Sequence, residues 1–239
     1  MPLLIWLLAF VITGGAAAVQ GVAGVGFAMI AVPVLALLDP RLAPVPQLLV
    51  VIPLTLYMAW QERHAVDMSG IGWIIVGRFP GLFVGLALLA VATQQVLDAF
   101  IGTVVVVAVV VIATGFKVHR TRTTKFAAGV AAGTTGVVAS IGGPPVALLY
   151  NDDEAATIRS TLAAVFTIGL TLSLLGRAAT GAITAMDVRI SLVLFPAVVI
   201  GYVVARRIRG RVPATAIRTI ILVVSATAGV GLLVRALVG

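Results

Sequence analysis

"ASIGGPPVALLYNDDE", residues 139–154, interrupts a hydrophobic run that otherwise reads as a membrane crossing. Gly142, Gly143, Pro144 and Pro145 stand together in its middle, and apolar sequence then resumes. A helix broken at bilayer depth leaves backbone amides and carbonyls without partners. Such a break is tolerated only where it is buried in protein or lines a wet cavity. The stretch therefore predicts either a cavity or a tight packing site inside a membrane protein.

The rest of the chain supports a membrane location. It is 61% hydrophobic and 10% charged, against roughly 25% charge in soluble domains, and its mean hydropathy is +1.20. Apolar runs long enough to span a bilayer, about 20 residues each, fill nearly the whole length. The net charge of +8 reads as Lys and Arg gathered in loops facing the cytoplasm and anionic lipid, not as a nucleic-acid surface. Cysteine is absent, which excludes disulfides, thiolate metal sites and Cys nucleophiles. The N-terminal "LLIWLLAFVITGGAAAVQG" lacks a basic leader region and reads as part of the mature protein.

Sliding the sequence by 116 residues superposes the two halves without a gap. Gly26 falls on Gly142, Phe79-Pro80 on Phe195-Pro196, Gly85 on Gly201, and Gly115 on Gly231. Apolar matches are cheap in such a chain, but a Phe-Pro pair and glycines sharing one offset are not. The sequence thus reads as one membrane domain of two homologous repeats, 1–117 and 118–239. Their hydrophobic segments are about 3–38, 44–61, 70–92 and 98–116, then 126–150, 158–180, 188–206 and 214–237. The first and fifth segments are both interrupted, at "GGAAAVQGVAGVG" (14–26) and at the quoted quartet, and the interruptions align.

The positive-inside rule gives those segments a shape. Lys117, Arg120, Arg122 and Lys125 crowd one loop, and Arg206, Arg207, Arg209 and Arg211 another. Three full crossings between the two loops would put them on opposite sides. If segment five enters and returns, both are cytoplasmic, together with Arg63 and Arg159. One hairpin and three crossings make each half odd, so the halves are inverted, and hairpin one opens on the opposite side from hairpin five. Paired broken segments in inverted repeats mark the substrate site of secondary transporters. The expected fold is an all-α polytopic membrane protein, each half beginning with a broken or hairpin segment.

Candidate substrate residues follow from chemistry. Glycine lets a ligand approach the backbone, and a half-helix N-terminus offers free amides and a positive dipole to anions. Gly142, Gly143, Pro144 and Pro145 with Ser140 form one such cradle, and Gly24 and Gly26 with Gln20 the other; the alternative for these glycines is close helix packing. Arg78, eight residues into segment three, is an intramembrane cation that would favour an anion, or else would bind a hairpin carbonyl. Arg159 could attract anions at a cavity mouth or serve, with Arg177, as an interfacial anchor. Gln47 is a ligand or an interhelical hydrogen bond. Trp60 and Tyr150 read as belt aromatics. All eight carboxylates fall at segment ends or in loops, so no acidic proton or Na⁺ site is expected, and no cofactor or metal. HExxH, GxSxG and paired-aspartate motifs are lacking, which argues against an enzyme.

"GAAAVQGVAGVGFAMIAVP" (15–33), answered by "GTTGVVASIGGPPVALLY" (133–150), resembles the sulfite exporter TauE/SafE family over essentially the full chain. Phe27 and Ala28 depart from the more glycine-rich first motif of that family. The resemblance implies export of sulfite, sulfoacetate, other organosulfonates or related carboxylates across the bacterial inner membrane. Its implied partners are a small anionic substrate and the lipid bilayer; a homodimer is left open. Two other readings stand beside a transporter: an anion channel with a fixed hairpin filter, and a membrane scaffold or enzyme subunit docking an acidic partner at Arg206–Arg211.

Overall fold

A computed structural model describes residues 1–116, 118–150 and 153–238. Lys117, Asn151 and Asp152, which the sequence places in loops, lie outside the described residues, as does Gly239. The chain is all helical. Among the described residues ten α-helices run in order α1 Leu3–Ala23, α2 Phe27–Leu38, α3 Val45–Gln61, α4 Ile71–Val91, α5 Gln94–Thr114, α6 Arg122–Ala139, α7 Gly143–Ala147, α8 Ala155–Ala179, α9 Ala185–Ile208 and α10 Ala214–Val238. Single 3₁₀ turns at Pro40–Leu42 and Arg63–Ala65 join α2 to α3 and α3 to α4. Seven stretches of the described residues are long and apolar enough to cross a membrane, and α2 is a shorter apolar helix. Large hydrophobic side chains such as Leu3, Phe83 and Leu192 stand exposed on the outer faces, where lipid would cover them.

The two interruptions fall at corresponding residues. α1 ends at Ala23 and α6 at Ala139; α2 resumes at Phe27 and α7 at Gly143, each pair 116 apart. Both first arms terminate in a left-handed residue, Gly24 at φ 82° and Ser140 at φ 58°. Each donates its backbone N–H back to the previous turn, Gly24 to Gln20 O at 2.7 Å and Ser140 to Gly136 O at 3.0 Å. Ser140 is the only non-glycine residue with positive φ among the described residues. Its hydroxyl donates to Pro44 O at 3.1 Å, fixing the second break to the loop before α3. Pro144 and Pro145 occupy the first turn of α7, where their missing N–H groups cost nothing.

Packing directions give the topology. A Cβ on Gly14 would meet Ala197, and one on Gly21 would meet Ala205 at 2.5 Å, so α1 runs parallel to α9. By the same test Gly77 abuts Phe126, Gly81 abuts Val130 and Gly85 abuts Val137, so α4 runs parallel to α6. These two helix pairs make the most extensive contacts in the molecule; the glycines let the backbones approach, as in membrane bundles generally. α5 and α10 pair antiparallel, Asp98 reaching Arg235 and Ile112 reaching Arg218.

Segment five enters and returns at one end. At its entrance Arg120 donates to Leu149 O, stacks over the Tyr150 ring at 4.7 Å and pairs with Asp153 at 2.6 Å. The second basic loop lies at that same end. The 62–69 loop touches both, since Glu62 pairs with Arg209 at 2.7 Å while Ser69 O accepts from Lys125 Nζ at 2.9 Å. Hydrogen bonds from Ser69, with the Arg120 and Lys125 charges behind them, hold the Asp67 carboxyl below its ordinary value against the opposing effect of burial. α1 runs toward this basic end, and α2 turns back to the far end, where Ala36 O accepts from Arg235. The two hairpins therefore open at opposite ends. One sequence boundary moves: α6 begins at Arg122, so Arg122 and Lys125 belong to its first turn instead of a loop. The N–H groups there are free of intrahelical partners, and Thr121 caps one of them, at Thr124.

Candidate functional site

The breaks meet. The Val25 side chain lies against Gly143, where a Cβ would stand 3.5 Å from Val25 Cγ2. Around this contact is a cavity lined by Gln20, Val25 and Gly26, by Phe27, Ala28 and Met29 of the first turn of α2, and by Val51 and Arg78. Gly136, Ser140, Ile141, Gly142, Gly143 and Pro144 form its other side, closed by Phe166, Leu170 and Ser173 of α8. Its volume is about 40 Å³, where one water needs about 10–15 Å³. That is room for a few waters or one small anion.

Among the described residues Arg78 supplies the only charge in this lining. It is 3% exposed, and its guanidinium extends across α8 over Gly169, where any side chain would overlap it. A Cβ at Gly142 would stand 3.5 Å from Arg78 Nη2, so the group also borders the second break. Its Nε is buried without a hydrogen-bond partner. No carboxylate or carbonyl among the described residues receives the guanidinium.

The amides come mainly from the first break. The first N–H groups of a helix have no intrahelical acceptor. In α2 the Phe27 N–H is taken by Gln20 Oε1 at 3.1 Å, and the ladder starts with Ile30 donating to Gly26 O. Ala28 and Met29 remain, both lining the cavity, at the positive end of a 12-residue helix. α7 has five residues, two of its first three being proline, so it brings few donors.

The negative helix ends are closed off. Arg209 donates to Gly21 O at 2.5 Å in the last turn of α1. Arg177 donates to Val137 O at 2.7 Å and Val138 O at 3.0 Å in the last turn of α6. Gly21 and Val137 are again 116 residues apart. Each arginine outweighs a C-terminal half-charge, and within the lining the positive groups are Arg78 and the amide end of α2.

Of the residues singled out from sequence, Gln20, Gly26, Arg78, Ser140, Gly142, Gly143 and Pro144 line the cavity together. Gly24, Gln47, Pro145 and Arg159 do not. Gly24 is a turn packed on Arg159, whose Cα a Cβ would approach to 2.8 Å. Gln47 donates to Leu42 O at 3.1 Å in the loop before its own helix. Arg159 pairs with Glu62 at 3.1 Å, and Pro145 is half-buried on α7. Arg177 is no interfacial anchor: it is 3% exposed and serves the hairpin carbonyls. Tyr150 is likewise fully buried beneath Arg120, so it presents no face to lipid. Sequence reasoning missed Phe166, Leu170 and Ser173. Their spacing of four and three places them on one helix face, but only the fold turns that face toward the breaks.

Comparison with known families shows what kind of protein this cavity belongs to. The model of the family described as sulfite exporter TauE/SafE matches residues 7–232. The chain belongs to the sulfite exporter TauE/SafE family. It is accordingly a multi-pass membrane transporter of sulfite-type anions. No curated protein and no solved structure matches it. A TauE/SafE member with one unpaired arginine and free helix amides at its centre matches the chemistry of such a cargo.

Proposed function

We propose that this TauE/SafE chain is a secondary transporter that exports sulfite and the smallest organosulfonates across the bacterial inner membrane by alternating access. The cargo sits where the two breaks meet, with its oxygens on the Arg78 guanidinium and the Ala28 and Met29 amides. Ser140 and Gln20 flank it, and Gly26, Gly142 and Gly143 keep the walls thin. The observation that carries this reading is Arg78, a buried cation beside a cavity with no carboxylate among the described residues to meet it. A cavity that takes a few waters fits sulfite better than sulfoacetate, whose carboxylate arm would need more room and a second cationic group.

In the same reading, residues 1–117 and 118–239 are inverted repeats, and the basic end is cytoplasmic. The support is the shared offset of both helix breaks and of the Gly21 and Val137 carbonyls that arginines cap, together with hairpins that open at opposite ends. Inverted repeats with broken helices at the centre are the arrangement from which rocking-type transport proceeds.

Purified protein should gain thermal stability with sulfite in a screen that also contains thiosulfate, sulfoacetate, taurine and acetate. Binding stabilises the native state by mass action, about 2.7 kcal/mol at a hundredfold excess over Kd. The Arg78→Gln variant should lose that gain. An unchanged response in the variant would remove Arg78 from the site, and no response to any anion in the wild type would remove the site itself.

A further inference from the structure

Every other buried or half-buried arginine among the described residues has a partner. Arg177 meets two carbonyls, Arg159 and Arg209 share Glu62, and Arg235 pairs with Asp98 at 2.7 Å. Arg120 pairs with Asp153. Arg78 is the exception, and it lines the cavity around the Val25–Gly143 contact between the two hairpins. Among the described residues the cavity lining contains no Asp, Glu, Lys or His, so no side chain described there takes up a proton near neutral pH to alter the charge.

From this we infer that the transporter works by obligatory anion exchange: the site changes its accessible end only while an anion neutralises Arg78. The inference rests on the proposed site at the two breaks. Alternating access passes through a state in which neither end reaches the cavity. With cargo bound, the guanidinium is paired during that passage. Without cargo, an uncompensated ion must be carried through a dry interior, where its desolvation is unrelieved. The empty carrier is therefore held at whichever end can hydrate Arg78 and waits for the next anion. Outward movement of sulfite then requires another small anion to return. The exchange balances charge when both anions carry the same charge, and otherwise moves net charge equal to their difference.

The test uses the full chain in sealed liposomes, measuring uptake of radiolabelled sulfite. One set holds unlabelled sulfite inside. The other holds potassium gluconate, too large for the cavity, with valinomycin present to collapse any membrane potential. Exchange predicts initial uptake at least about tenfold faster with internal sulfite, because only the loaded carrier avoids the uncompensated charge. Equal rates in the two sets would overturn the exchange inference and leave the exporter reading intact. No uptake in either set would overturn the exporter reading and the exchange with it. Arg78→Gln gives a second readout: residual uptake should no longer depend on internal sulfite. Full dependence in that variant would overturn the assignment of the constraint to Arg78, and if the variant takes up nothing, the wild-type ratio alone decides.

Discussion

Gly169 illustrates how one hydrogen atom decides the site. A Cβ there would overlap the Arg78 guanidinium, which is the far end of a flexible side chain and can swing aside. Gly169→Ala should therefore leave the protein folded, by gel filtration and circular dichroism, while reducing sulfite binding at least about tenfold, the cost of a misplaced charged hydrogen bond. The two deeply buried arginines should behave oppositely. Arg177→Met strands the Val137 and Val138 carbonyls and should destabilise the protein by about 2–3 kcal/mol, read as a lower Tm in detergent. Arg78→Met removes an unpaired buried charge and should leave Tm unchanged or raise it. Arg78 was legible in the sequence because a charge deep in a span needs a reason. The role of Arg177 was not, because its partners lie about 40 residues earlier in the chain and no local pattern announces them.

At the level of helices, close approach through glycine holds the hairpins in place. In α4, Gly81 faces the backbone carbonyl of Val130, an atom that cannot retreat without moving α6. Gly81→Ala should separate α4 from α6 and sharply reduce the yield of folded protein in detergent. Gly72, on the same helix, has nothing within 4 Å of its Cβ direction. Gly72→Ala should match the wild type or gain up to about 1 kcal/mol from helix propensity, so the pair separates packing from composition. The breaks themselves were readable from glycine, proline and the repeat offset. The face of α8 that closes the cavity was not, since Phe166, Leu170 and Ser173 form an ordinary amphipathic stripe until the position of the breaks is known. Gln20 looked like a ligand and proves also to be a clamp, spending its oxygen on the Phe27 amide.

For the whole molecule, the arrangement of ends is directly testable. Single cysteines at positions 120, 209 and 41, in a chain that has no native cysteine, should label in two groups. Arg120→Cys and Arg209→Cys should react with an impermeant maleimide from one side, and Arg41→Cys from the other. Labelling of 120 and 209 from opposite sides would contradict the entering and returning segment five. The parity argument needed only the basic loops, whose charge asymmetry bears on the whole chain, and the structure sets both loops at one end. The sequence could not reveal which helices pair, because pairing depends on surfaces brought together from both halves.

That pairing bears on how the protein is made. The glycine face of α1 rests on α9, and α4 rests on α6, so each long hairpin arm finds its neighbour in the opposite half. A ribosome that has delivered only the first five helices has produced a broken helix with no wall to lie against. The nascent α1–α2 unit must then wait in the insertion machinery or among lipids until residue 208 has emerged. Assembly quality control therefore falls late in synthesis, and truncations anywhere before α9 should be cleared by membrane proteases instead of accumulating as half-transporters.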